Sequence, residues 1–178
     1  MPTDVDEILF TEKQIRSRVA DLAREITADY KDAKLVLVSI LRGSVFFATD
    51  LARLIELPLS MDFLSISSYG EDSEGVVRIT KDLEENIAGK DVLLIEDIVD
   101  TGFTLKYLVR TLAGRNPKTL EVCTLLDRRA RRIIEMELKY IGFEIPDKFV
   151  VGYGLDYRQR YRNLPYIGVV CPSEMKID

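Results

Sequence analysis

The chain has 178 residues, a formal net charge of -5 and a sequence pI near 5.0. This suits one domain burying roughly 70% of its unfolded surface, and it offers no general basic field to recruit nucleic acid or anionic lipid. The chain contains no histidine, so histidine triads and zincin sites are excluded, and proton transfer must rest on carboxylates, Lys or Tyr.

The first ten residues carry Asp4, Asp6 and Glu7 and lack a basic and an apolar leader region, so no secretory signal is expected. No run is long enough to cross a bilayer. Thr11 opens a predicted helix with Gln14 at the capping-box position, and Ile15, Val19, Leu22, Ala23 and Ile26 form its apolar face. Leu35 to Leu41 reads as a strand buried on both faces. It leads through Arg42-Gly43-Ser44 into a helix with Phe47, Leu51, Leu54 and Ile55 on one side. Residues 61–66 read as another strand. Residues 67–77, with Gly70, Gly75 and three acids, read as a loop, equally a lid or a hairpin tip.

The most informative stretch is residues 91–105. Val92 to Ile95 form an apolar run, Glu96 and Asp97 stand where such a strand would emerge, and Asp100-Thr101-Gly102-Phe103-Thr104 leads into a helix. Leu105, Leu108, Val109 and Leu112 supply the apolar face of that helix, and Gly114 is placed to end it. A strand end followed by a helix start presents free N–H groups and a positive helix terminus, a phosphate cradle. Its carboxylates suit ribose hydroxyls and hydrated Mg²⁺, which favours a sugar phosphate over a nucleoside triphosphate. No Walker loop occurs in the chain.

Residues 120–126 read as a fourth buried strand, with Asp127 and then Arg128, Arg129, Arg131 and Arg132 at its exit. Such a cluster is usually a solvated face, and it gains weight here only from its place at a strand end. From Tyr140 onward, short pieces at Tyr140–Glu144, 149–154 and 166–170 suggest a small lobe beside the main sheet, within a single domain over residues 1–178. Asp156, Tyr157, Arg158, Arg160, Tyr161 and Arg162 suit either a diphosphate-metal site or a surface turn. Phe149 could be plain core. Cys123 and Cys171 have neither zinc-site nor disulfide-framework spacing, which suggests a reducing cytoplasm.

The string from Val92 to Thr104 resembles the loop that binds phosphoribosyl pyrophosphate (PRPP) in the type I phosphoribosyltransferases. Leu41-Arg42-Gly43-Ser44, Ser68-Tyr69 and residues 144–157 follow in the order of the hypoxanthine-guanine branch, so the resemblance covers nearly the whole chain. It implies an α/β fold, a parallel-type central sheet flanked by helices, with a small hood formed mainly from about residue 140. It also implies a Mg²⁺-dependent enzyme of purine salvage that joins a 6-oxopurine to PRPP, as a homodimer or homotetramer, with neither nucleic acid nor membrane as a partner.

By the same resemblance, Glu96 and Asp97 hold ribose hydroxyls and Mg²⁺, and residues Asp100, Thr101, Gly102, Phe103 and Thr104 wrap the 5′-phosphate. Asp100 is the general base at purine N7. Arg42, Gly43 and Arg162 bind pyrophosphate, with Ser68 and Tyr69 closing over it. Asp156 serves a second Mg²⁺ beside the purine, Phe149 stacks on the base, and the Val150 backbone reads its C2 edge. Arg132 is expected to assist with phosphate. One departure stands out: the family pattern has lysine donating to purine O6 where this chain has Arg128, which puts the balance among hypoxanthine, guanine and xanthine in question. The competing expectations are a transferase for another nucleobase, such as adenine, and a regulatory protein that kept the fold to bind RNA.

Overall fold

The computed structural model describes residues 5–69 and 76–171. Its centre is a six-stranded sheet in the order β4-β3-β2-β5-β6-β7. The four inner and adjacent pairs run parallel, from β2 (Leu35–Leu41) and β3 (Leu59–Tyr69) to β5 (Asp91–Val99), β6 (Thr119–Asp127) and β7 (Tyr140–Glu144). Only β4 (Val76–Lys81) is antiparallel to its neighbour.

The two central strands are apolar along their length because both their faces are covered. Leu35, Leu37, Leu93 and Ile95 pack with α1 (Glu12–Asp29) and α2 (Val45–Leu54). The alternate residues Val36, Val38, Val92 and Leu94 pack with Leu105, Leu108 and Leu112 of α3 (Phe103–Ala113). Period-two alternation thus divides one run of hydrophobics between two cores. The chain leaves β2 through α2 to reach β3 on one side, and leaves β5 through α3 to reach β6 on the other. The carboxyl ends of β2 and β5 therefore flank the topological switch point, where open α/β sheets place their ligands.

Both halves of the expected capping box are present on α1: Gln14 N donates to Thr11 Oγ1, and Thr11 N donates to Gln14 Oε1 at 2.9 Å. The five residues expected on its apolar face are all buried. On α2, Phe47 and Leu51 are buried, whereas Leu54 is exposed and Ala48 takes its place in the apolar stripe.

Strand β5 outruns the expected apolar run, and Glu96 and Asp97 lie inside it. The reason is asymmetric pairing: β2 matches β5 only from Leu35↔Asp91 to Ser39↔Ile95, while β6 continues to Val99↔Asp127. The two acids thus stand in a strand whose neighbour on one side has peeled away. Strand β3 likewise outruns residues 61–66. The first residues of the expected lid are paired strand, since Ser67, Ser68 and Tyr69 match Arg78, Val77 and Val76. Residues 70–75, and the side chains of Ser68 and Tyr69, lie outside the described residues.

The small lobe also differs from expectation. Tyr140–Glu144 is the edge strand β7 of the main sheet, paired with β6. The separate sheet, ordered β1-β9-β8, combines β1 (Glu7–Phe10) from near the amino terminus with β9 (Ile167–Val169) and β8 (Val150–Val151). Stacking of Phe10 on Phe143, with ring centroids 4.0 Å apart, ties this sheet to β7.

Candidate functional site

A cleft of about 500 Å³ opens at the switch point. Arg42 and Gly43 after β2, Glu96 through Gly102 with Thr104 along β5 and its loop, and Asp156 and Arg162 from the hood form its walls. A larger groove of about 810 Å³ runs between α1, α2 and residues 162–165. That groove is walled chiefly by helical side chains, whereas the smaller cleft is walled by strand-end loops that present backbone N–H groups.

Gly102 caps α3 with φ +88°, a left-handed geometry that costs glycine nothing. The first intrahelical bond runs from Lys106 N to Gly102 O at 2.9 Å, so the N–H groups of the first turn, beginning with Phe103 and Thr104, have no partner within the helix. Gly43 is required for a different reason: a Cβ there would fall 1.5 Å from Asp97 Oδ2. The peptide bond between Leu41 and Arg42 is cis.

Glu96 is 7% exposed, and burial, with the neighbouring Asp97 charge adding, pushes its carboxyl well above the ordinary value. Burial likewise pushes Asp97 up to about 6, although backbone N–H groups and the Arg162 charge oppose it. Ile98 N donates to Asp97 Oδ1 at 2.8 Å. This pair of hard oxygen donors, Glu96 buried and Asp97 half-buried, fits a Mg²⁺ ion, which binds through one or two carboxylates and keeps the rest of its shell for water and substrate. Among the described residues no group of three acids forms an all-protein cage. Asp156 is already engaged, with Arg162 Nη2 2.7 Å from Oδ1 and Gln159 N donating to Oδ2 at 2.7 Å.

Gln159 was not singled out by the sequence. Its Oε1 accepts from Arg42 Nη1 at 2.9 Å and from Arg162 Nη2 at 3.1 Å, so one amide links the two arginines across the cleft. Arg162 Nη1 also donates to Gly154 O at 2.6 Å. The turn carrying Gln159 has positive φ at Arg158, Gln159 and Tyr161, a contortion without a local sequence signal.

The arginine cluster divides by orientation. Arg129 and Arg131 are exposed, whereas the Arg128 and Arg132 side chains are each 6% exposed. Arg128 Nη1 lies 3.3 Å from Asp100 Oδ1 and donates to Oδ2 at 3.4 Å. Two buried atoms of this pair, Arg128 Nε and Asp100 Oδ1, have no hydrogen-bond partner. Arg132 does not line the cleft. It pairs with Asp127 behind the loop and donates through Nε to Asp100 O at 2.9 Å.

Phe149 is 40% exposed and meets Tyr157 edge-on, with centroids 5.7 Å apart, so it is not plain core. Val150 is buried beside it. In the β8–β9 pair, Val170 N donates to Phe149 O, and Asp6 N donates to Val169 O on the far side of β9. Alternation then directs the Val150 N–H and C=O away from β9, along the free edge of the small sheet.

A largely parallel sheet with a loop, a helix start and two acids at its switch point is the arrangement of an α/β protein that takes a phosphorylated ligand at its strand ends. Residues 5–158 match the phosphoribosyl transferase domain family, and the chain belongs to it. Within that family it is similar to the hypoxanthine-guanine phosphoribosyltransferase of Mycobacterium avium, at 50% identity over 96% of this chain and 88% of the relative. It is likewise similar to the hypoxanthine phosphoribosyltransferase of Salmonella typhimurium, at 49% identity over 92% of this chain and 94% of the relative. The crystal structure of a hypoxanthine phosphoribosyltransferase from Staphylococcus aureus superposes with a TM-score of 0.93 at 48% identity, covering 98% of this chain and 96% of that one. The expected type I phosphoribosyltransferase fold is borne out.

Proposed function

We propose that the protein is a purine salvage transferase that joins hypoxanthine or guanine to PRPP, releasing IMP or GMP and pyrophosphate. The observation that carries this reading is the cleft at the ends of β2 and β5. There an amide-lined loop and two carboxylates, Glu96 buried and Asp97 half-buried, lie beside an Arg128–Asp100 pair with one donor and one acceptor left unsatisfied.

In this reading the backbone of Asp100, Thr101, Gly102, Phe103 and Thr104 holds the 5′-phosphate by N–H donation at a helix start. Glu96 and Asp97 accept from the ribose hydroxyls. Arg42, Gly43 and Arg162 receive the pyrophosphate, with Ser68 and Tyr69 closing over it. One edge of a 6-oxopurine carries the matching groups: Arg128 would donate to O6 and Asp100 would accept the proton of N7 once their 3.3 Å contact opens. A 6-amino group would instead set donor against donor, which disfavours adenine. The exposed ring of Phe149 is available to stack on the base, and the free Val150 backbone edge reads C2.

The N9–C1′ bond forms as the bond from C1′ to the pyrophosphate oxygen breaks, and the electron pair leaves with pyrophosphate. Positive charge develops on the sugar beside Glu96 and Asp97, and negative charge on the leaving group beside Arg42 and Arg162. Glu96 and Asp97 would hold Mg²⁺, which when bound helps neutralise the departing diphosphate. Asp156 would hold a second ion only by exchanging its bonds to Arg162 and Gln159. The reading includes a homodimer or homotetramer, on family likeness alone. It places the enzyme in the cytoplasm, with which the unbridged thiol of the buried Cys123 accords. The test is pyrophosphate release from PRPP and Mg²⁺ on adding hypoxanthine. One IMP per pyrophosphate is expected, and release without nucleotide would contradict the proposal.

A further inference from the structure

The carbonyls of Val99, Asp100 and Thr101 are all captured by the segment that follows β6. Val99 O accepts from Arg128 N at 3.0 Å, and Thr101 O accepts from Ile133 N and Ile134 N at 3.0 and 2.9 Å. The middle carbonyl is held by a side chain: Arg132 Nε donates to Asp100 O at 2.9 Å, and Nη2 reaches Val99 O at 3.4 Å. In a trans peptide, the N–H of the next residue points opposite to the carbonyl. Capturing three successive carbonyls on one side therefore turns the N–H groups of Asp100, Thr101 and Gly102 to the other, where the cleft lies. Successive N–H groups on one side of a turn make an anion-binding concavity.

Arg132 can do this because its other end is fixed. Its guanidinium pairs with Asp127, and both side chains are 6% exposed. The loop also sits hard against this support: a Cβ on Gly102 would lie 2.9 Å from Ile134 O and 3.3 Å from Arg132 Cδ. A pair meant only for stability would be poorly chosen, since burying two charges roughly cancels their attraction. Here the arginine fork gives further donors to exactly those carbonyls whose direction sets the cradle.

We propose that Arg132, oriented by Asp127, is a positioning residue that presets the backbone of residues 100–102 for the 5′-phosphate of PRPP. The proposal rests on reading that loop as the phosphate cradle. Arg132→Lys keeps the charge and a partner for Asp127 but has a single nitrogen, which cannot serve the ion pair and both carbonyls together.

The expected result is a rise of about tenfold in KM for PRPP and in Kd for ribose 5-phosphate, with KM for hypoxanthine changed less than about twofold. A folded variant that binds ribose 5-phosphate as tightly as the unmodified protein would overturn the proposal. So would a lowered Tm with both KM values rising in parallel, because that is a merely structural role. Should Arg132→Lys not fold, Asp127→Asn decides: it leaves the fork but loosens its anchor, so PRPP affinity should fall, and unchanged affinity overturns the proposal. In the unmodified ¹⁵N-labelled protein, ribose 5-phosphate should shift the amide signals of residues 100–102. If those signals stay in place, the cradle reading itself fails and takes this inference with it.

Discussion

The segments after β5 and after β6 occupy equivalent places at adjacent strand ends, yet they are built in opposite ways. The first is acidic and turns backbone N–H groups and carboxylates into the cleft. The second is rich in arginine and turns two of its four guanidinium groups inward, Arg128 to Asp100 and Arg132 to Asp127 and the loop carbonyls. The difference teaches that a strand end can serve chemistry by facing the ligand or by holding the loop that does. Charge alone does not tell which. In the proposed reading an acidic loop takes phosphate through its amides, while Arg132, which looks like a phosphate ligand, supports that loop from behind.

The comparison can be broken most severely at Asp100. Asp100→Asn should lower kcat by roughly 10²–10⁴-fold with an unchanged thermal melt, as for loss of a general base. Near-normal turnover would remove Asp100 from proton transfer and leave only the backbone role of its loop. Next in size is Gly43→Ala, whose new Cβ cannot coexist with Asp97 Oδ2 at 1.5 Å. Displacing that carboxylate by about an ångström should reduce kcat/KM by about a hundredfold. Steady-state kinetics close to those of the unmodified enzyme would show that Asp97 has room to move.

The raised carboxyl of Asp97 predicts a stability trend opposite to that of a paired carboxylate. Burial raises the Asp97 carboxyl from its ordinary 3.8 to about 6 in the folded state, so its proton binds the folded state more tightly. That contribution is fully present below about pH 4 and is lost as pH rises through about 6. In metal-free protein Asp97→Asn should therefore raise stability at pH 8 by about 1–3 kcal/mol, a gain that shrinks toward pH 4. Thermal melts across this range check it, and a gain independent of pH would mean that the acid carries no such cost. The smallest change is expected for Arg128→Lys, which should retain 6-oxopurine activity and alter the ratio of hypoxanthine to guanine use by less than about tenfold. Unchanged ratios would make the arginine neutral for base choice.

Much of the β5–α3 segment was legible in the sequence because its signals are local. Val92 to Ile95, the acids, Gly102 and the α3 periodicity lie within one short window, and the Thr11–Gln14 capping box within four residues. What escaped was set by distant contacts. Strand β1 exists through pairing with β9, as with Glu7↔Val169, and Tyr140–Glu144 belongs to the main sheet because β6 offers it an edge. The extra length of β5 depends on β6 running on where β2 stops. Nothing in the run Arg128 to Arg132 reveals which guanidinium groups turn inward, since that is settled by Asp100 and Asp127. Gln159 became visible only when Arg42 and Arg162 met across the cleft.

The central claim is tested most directly by offering PRPP and Mg²⁺ with hypoxanthine, guanine, xanthine or adenine in separate reactions and separating the nucleotides formed. The account predicts IMP or GMP, with no AMP above background. AMP alone would contradict the assignment of base, and no nucleotide from any of the four would contradict the assignment of the protein as a purine transferase.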